Sequence, residues 1–151
     1  MDTLIQALKY GGQLALAGLF ARALHERIVD SASVDLIVPL PLHPRRLAER
    51  GYNQAVEIAR PLAQALGVPL DVHVGERVRD TAAQTGLPWK KRASNVRHAF
   101  ACGRRLDGLK LAVVDDVMTT GATLEAYARA LKQAGAARVE NWVVARTTRD
   151  V

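Results

Sequence analysis

The stretch Leu111–Gly135, LAVVDDVMTTGATLEAYARALKQAG, is the most informative in the chain. Its first four residues, Leu111-Ala112-Val113-Val114, are apolar and partly β-branched, as in a buried strand. Two carboxylates, Asp115 and Asp116, follow directly. A turn of small and hydroxyl residues comes next, Thr119-Thr120-Gly121-Ala122-Thr123. Leu124, Tyr127, Ala128 and Leu131 then recur at helical spacing, and Gly135 stands where a helix C-terminal glycine belongs. Strand, acidic pair, glycine turn and helix together predict an anion site at the end of a parallel sheet.

The first amides of a helix lack intrahelical partners, and the helix dipole places positive charge there, so the turn suits a phosphate. Gly121 lets the backbone approach without a Cβ, and Thr119, Thr120 and Thr123 add hydroxyl donors. Asp115 and Asp116 would repel that phosphate, so they should face a sugar diol or a Mg2+ ion, in part through water. Phosphate at one end and diol at the other describe a ribose phosphate. Alternatives are weaker. A nucleotidase would need G-x-x-x-x-G-K-[ST] and a dinucleotide fold G-x-G-x-x-G, and the sequence contains neither. An acidic pair that solvates a turn, with a threonine capping the helix, explains each half but not their conjunction.

The frame agrees with a single α/β domain over 1–151, with an N-terminal helical segment (1–30) and an α/β core (34–147). A chain of 151 residues, 49% hydrophobic and 24% charged, can bury a substantial core. No apolar run reaches the ~18 residues of a membrane span. The nearest, Gly11–Ala23, is interrupted by Arg22 and reads as a packed or interfacial helix. Cys102 is the only cysteine, which excludes an intrachain disulfide and a zinc cluster of cysteines and favours a reducing cytoplasm. The net charge of +6 lies wholly in 76–110, where nine Lys/Arg face three acids. Such a segment fits a polyanionic small molecule, single-stranded DNA or a solvated face.

In chain order, Thr3–Ile28 predicts one or two helices, with a break at Gly11-Gly12. Asp35–Pro39 predicts a strand. Leu40–Gln54 predicts a loop stiffened by three prolines with 39, and it opens on the same sheet end as the acidic pair. Arg45 and Arg46 are candidates for a pyrophosphate clamp, with Arg50 beside them. Asn53 or Gln54 could orient substrate, although a helix cap also explains Asn53. His43 could line the site, although a lone loop histidine is more often structural or solvated. Tyr52–Leu66 predicts a helix with Val56, Ala59, Leu62, Ala63 and Leu66 on one face, kinked or shortened by Pro61. Val68–Val74 predicts a strand. Arg77–Arg92, which includes Gln84, Trp89, Lys90 and Lys91, predicts a mobile loop and then a short helix over 88–95. His98–Cys102 predicts an edge strand and Val139–Ala145 the last strand.

Val113–Thr123 (VVDDVMTTGAT) resembles the phosphoribosyl pyrophosphate (PRPP) motif of type I phosphoribosyltransferases. VPLPLHPRRLAERGYNQA from Val38, RVRDTAAQTGL from Arg77 and RASNVRHAF from Arg92 resemble the ComF branch, which is associated with natural competence and DNA uptake. The likeness runs from about Lys9 to Thr147. It implies a type I phosphoribosyltransferase-like fold, a parallel-rich sheet flanked by helices. It further implies PRPP and Mg2+ as ligands, Asp115 and Asp116 as diol binders and possible Mg2+ contacts, and Thr119–Thr123 as the 5-phosphate loop. Arg45, Arg46, Lys90 and Lys91 would neutralise leaving pyrophosphate, the last two as a lid closes, with Arg77 and Gln84 as further candidates. ComF proteins commonly carry an N-terminal cysteine-rich zinc ribbon, which this sequence lacks. Two functional classes follow: an active phosphoribosyltransferase with an unknown nucleophile, or a non-catalytic module that senses PRPP or binds single-stranded DNA or uptake proteins. Self-association as a homo-oligomer is compatible with either.

Overall fold

In the computed structural model, residues 15–30, 33–81 and 96–147 are described. Their elements are, in order, α1 (Ala15–Ile28), β1 (Leu36–Pro39), α2 (Pro44–Arg50), α3 (Gln54–Leu66), β2 (Gly75–Arg77), β3 (Phe100–Cys102), β4 (Lys110–Met118), α4 (Ala122–Gln133) and β5 (Arg138–Arg146). Strands β1, β4 and β5 form a parallel sheet in the order β1-β4-β5, with Leu36 opposite Leu111 and Lys110 opposite Arg138. Strands β2 and β3 form a separate antiparallel pair.

The continuous apolar run of β4 is explained by cover on both faces. Leu111 and Val113 pack in one cluster with Phe100, Tyr127 and Leu131. Ala112 and Val114 pack in another with Phe20, Ile58, Leu62 and Trp142. Helices α1 and α3 therefore cover one face, while α4 and the β2–β3 pair cover the other. No helix among the described residues is long and apolar enough to cross a membrane.

Chain direction fixes where the sheet opens. From β1 the chain passes through α3 to Leu70, which bridges the free side of β1 at Ile37. On its other side β1 pairs with β4, and the chain continues outward through α4 to β5. The winding thus reverses between β1 and β4, and in open α/β sheets that point holds the ligand crevice. Here β1 stops at Pro39, opposite Val114, while β4 runs on to Met118 beside β5. Residues Asp115–Met118 border the gap.

Several expectations are corrected. The stretch after β1 is not all loop, because residues 44–50 form α2. Pro44 occupies its first turn, the His43 side chain accepts a hydrogen bond from the Arg45 amide, and Gly51 closes it at φ 84°. Pro61 does not shorten α3, which continues to Leu66 and ends at Gly67. The buried face of that helix centres on Ile58, with Ala55, Ala59, Leu62 and Ala63, rather than on Val56. The strand expected over 68–74 contracts to the single Leu70 bridge, and pairing begins only at Gly75. Strand β4 does not end before the acids but contains them. The helices and loop expected over 1–14 and 82–95 lie outside the described residues.

Gly75 sets how closely β2 approaches α4 on their shared face of the sheet. A Cβ built there would stand 2.5 Å from Cε2 of Tyr127, whose ring is fully buried. Gly75→Ala is therefore expected to overpack the core by about 1–3 kcal/mol and to lower the melting temperature by roughly 2–10 °C. Thermal unfolding followed by circular dichroism measures this, and an unchanged midpoint would contradict the packing.

Candidate functional site

Strand alternation sends Asp115 and Asp116 to opposite faces of the strand end. Both are buried, at 9% and 3% exposure. The Asp115 Oδ1 accepts from the Asp116 amide at 2.8 Å, and the Asp116 Oδ1 accepts from the Val117 amide at 2.8 Å. The Asp116 Oδ2 also accepts from Nε2 of Gln54, the first residue of α3, at 3.3 Å. Gln54 Oε1 in turn accepts from Arg50. Sequence candidates Arg50, Gln54 and Asp116 are thus one connected chain, which holds the carboxylate in a set direction.

The turn after β4 meets a helix start as expected. Gly121 is the N-cap of α4 at φ 79°, a left-handed conformation that disfavours other residues. Thr120 Oγ1 accepts from the Ala122 amide at 3.4 Å. Thr119 and Thr120 are exposed, and Gly121, Ala122 and Thr123 are half-buried. Helix α4 starts directly after β4, so its first turn, whose amides lack intrahelical partners, lies at the same end of the sheet that β1 leaves open.

Asn53 is placed as a structural residue. Its Oδ1 accepts from the Ala55 amide at 2.9 Å, and its Nδ2 donates to the Leu40 carbonyl at 3.0 Å. It caps α3 and ties it to the end of β1. Asn53→Ala should cost ~1–2 kcal/mol of stability in urea unfolding while leaving ligand affinity nearly unchanged. A large affinity loss with unaltered stability would reverse that assignment.

The arginines divide into two groups. Arg46 Nε contacts Asp80 Oδ1 at 3.1 Å, and Arg45 contacts Glu49 at 3.2 Å and Asp80 at 4.0 Å. Among the described contacts neither reaches the acidic pair. Asp80, which the sequence did not single out, anchors both, and the hydrogen bond from Arg46 holds its carboxyl below the usual range. Arg45 is largely exposed, and such ion pairs are worth little in water, so an arriving diphosphate can compete for these cations.

Arg77 differs. It is buried, at 8% exposure, with its guanidinium 5.5 Å from the Phe100 ring centre and Nη2 donating to Thr81 at 2.8 Å. Its pKa is lowered, chiefly by burial and then by Arg46, while Asp80 and Asp115 act in the opposite direction. Gln84, Lys90 and Lys91 lie outside the described residues.

No group of three or more His, Cys, Asp or Glu among the described residues could hold a metal alone. Mg2+ does not require one, since it keeps several waters and binds through one or two carboxylates plus ligand phosphates. Asp115 and Asp116 fit that pattern.

Residues 52–150 match the Phosphoribosyl transferase domain family. The chain belongs to that family. Its ComF-type relatives include the DNA utilization protein YhgH of Salmonella typhi, 35% identical over 97% of this chain and 67% of that protein. Competence protein F of Haemophilus influenzae is 32% identical over 97% of this chain and 68% of that protein. The chain thus spans about two thirds of the length of these relatives. The purine phosphoribosyltransferase of Pyrococcus horikoshii shares the fold at TM-score 0.52 and 22% identity, covering 85% of this chain and 80% of that one. Glutamine PRPP amidotransferase from B. subtilis does so at TM-score 0.54 and 19% identity, covering 83% of this chain and 26% of that one. The architecture is accordingly that of type I phosphoribosyltransferases, as the motif implied.

Proposed function

We propose that this protein binds PRPP with Mg2+ and transfers ribose 5-phosphate to a nucleophile, releasing pyrophosphate, in the cytoplasm of a cell that takes up or uses DNA. The observation that carries this is the meeting, at the reversal of sheet winding, of two buried carboxylates and the glycine-capped start of α4. The names of the relatives supply the DNA context, and the single cysteine suits a reducing compartment.

The chemistry asked of such a site is modest in covalent terms. The C1–O bond to pyrophosphate breaks as the nucleophile's bond to C1 forms, through an oxocarbenium-like transition state. Asp115 and Asp116 accept from the ribose 2- and 3-hydroxyls, and their negative charge favours the cationic sugar. Amides of Ala122 and Thr123, with hydroxyls of Thr119, Thr120 and Thr123, hold the 5-phosphate and fix C1 relative to the acceptor. Arg45 and Arg46 exchange Asp80 for the departing diphosphate. Bound Mg2+ supplies further charge neutralisation there. Pyrophosphate release in the presence of a panel of bases and amines tests the reading, and binding of PRPP with no release for any acceptor would favour a sensor.

The single-stranded DNA reading has less support. Stacking platforms need accessible aromatics; of the two in the basic segment, Trp89 lies outside the described residues and Phe100 is buried against Tyr127, ring centres 5.0 Å apart, and faces Arg77. Any DNA binding is therefore expected to be weak and non-specific, falling steeply between 50 and 200 mM salt. Fluorescence anisotropy with an oligothymidylate measures it, and tight, salt-insensitive binding would restore this alternative.

A further inference from the structure

A second concavity, of about 660 Å³, opens at the C-terminal end of β1. That volume lies within the usual range of small-molecule sites. Most of its wall is apolar, including Pro39, Pro41, Leu47 and Val56, and Arg77 forms part of the lining. Arg60 and two histidines add polar groups, but a wall that is mostly apolar and carries the Glu76 carboxylate is a poor host for a polyanion such as a diphosphate. It suits a flat organic body.

Arg77 adds the polar requirement. The residue is more than nine-tenths buried, and its Nε has no hydrogen-bond partner among the described residues. Buried donors in native proteins are almost always satisfied, so an unpaired one calls for an explanation. A buried cation is costlier still unless an anion answers it. Thr81 takes only one of its N–H groups, and a hydroxyl carries no charge. Strand pairing from Gly75 to Cys102 and from Arg77 to Phe100 sets the backbone, so the cation is held on a rigid element. Leu47 and Val78, 43% and 51% exposed, are also part of the lining, so large apolar side chains are partly exposed there.

We infer that this cavity binds a planar, largely apolar molecule carrying an anionic group, with Arg77 as the residue that selects for the anion. Resting on the transferase reading, that molecule is the acceptor. Pro39 lines the cavity and lies opposite Val114, the residue before Asp115, which puts the acceptor beside the sugar end of the site.

Benzoate and its uncharged counterpart benzamide serve as probes, titrated into the full chain and followed by amide chemical shifts. The expected result is perturbation of residues 41–47 and 72–78, with benzoate bound ~10-fold or more tighter than benzamide. Arg77→Gln should abolish that preference. Leu47→Glu, at an exposed position that cannot unfold the core, should weaken benzoate alone by repulsion. Equal affinity for the two probes, absence of perturbation at these residues, or displacement of benzoate by pyrophosphate would overturn the assignment. Ribose 5-phosphate in the same titration separates the two ideas. If it leaves Thr119–Thr123 unmoved while benzoate behaves as expected, the acceptor role falls and the aromatic-anion site stands.

Discussion

Asp116→Asn and Asp115→Asn should each weaken PRPP binding by ~10–100-fold, the equivalent of one charged hydrogen bond of about 1.5–3 kcal/mol. The substitution is nearly isosteric: in the Asp116 variant the remaining oxygen still accepts from the Val117 amide, the new amide group forfeits the one contact from Gln54 Nε2, and the fold should survive. What changes is the charge presented to the ribose hydroxyls and to Mg2+. The two variants should act on ribose and leave phosphate recognition intact, so ribose 5-phosphate should lose affinity while inorganic phosphate does not. Isothermal titration calorimetry in the presence of Mg2+ resolves both. Wild-type affinity in both variants would mean that the buried acids serve the strand end alone.

Gly121→Val should be as damaging from the other side of the sugar. At φ 79° a β-branched residue is a genuine outlier, so the helix start must rearrange to accept it. The Cβ itself meets only the Met118 side chain, its sulfur at 3.4 Å and Cγ at 3.9 Å, which is ordinary contact, so conformation and not crowding is the cause. The expected outcome is loss of ribose 5-phosphate binding by ~30-fold or more, as several amide hydrogen bonds are misaligned together. Gly121→Ala should be milder in the same assay. If valine were tolerated without loss, the turn would not be the phosphate cradle.

The β4–α4 unit was legible in the sequence because two periods change at one place. A short apolar run gives way to acids, then small residues, then a helical stripe, and each step is local. Features that depend on non-local partners were not legible. Strand β2 begins at Gly75 because β3, more than twenty residues on, pairs there, and nothing within 68–74 announces that. The alternation of Gly75, Glu76 and Arg77 across that strand decides that Arg77 is buried while Glu76 is exposed. In the sequence Arg77 and Arg79 look alike. Helix α2 escaped notice because three nearby prolines read as loop, although Pro44 at its first turn and Gly51 at its end are ordinary helix signals. Asp80 carried no signal as the anchor of Arg45 and Arg46, since that contact spans more than thirty residues.

A chemical-shift titration with ribose 5-phosphate tests the central assignment most directly. Saturable movement of the Thr119, Thr120, Gly121, Ala122 and Thr123 amides, together with Asp115–Val117, is the predicted result. Movement confined to residues 45–50, or none at the start of α4, would contradict a sugar-phosphate site at the end of β4.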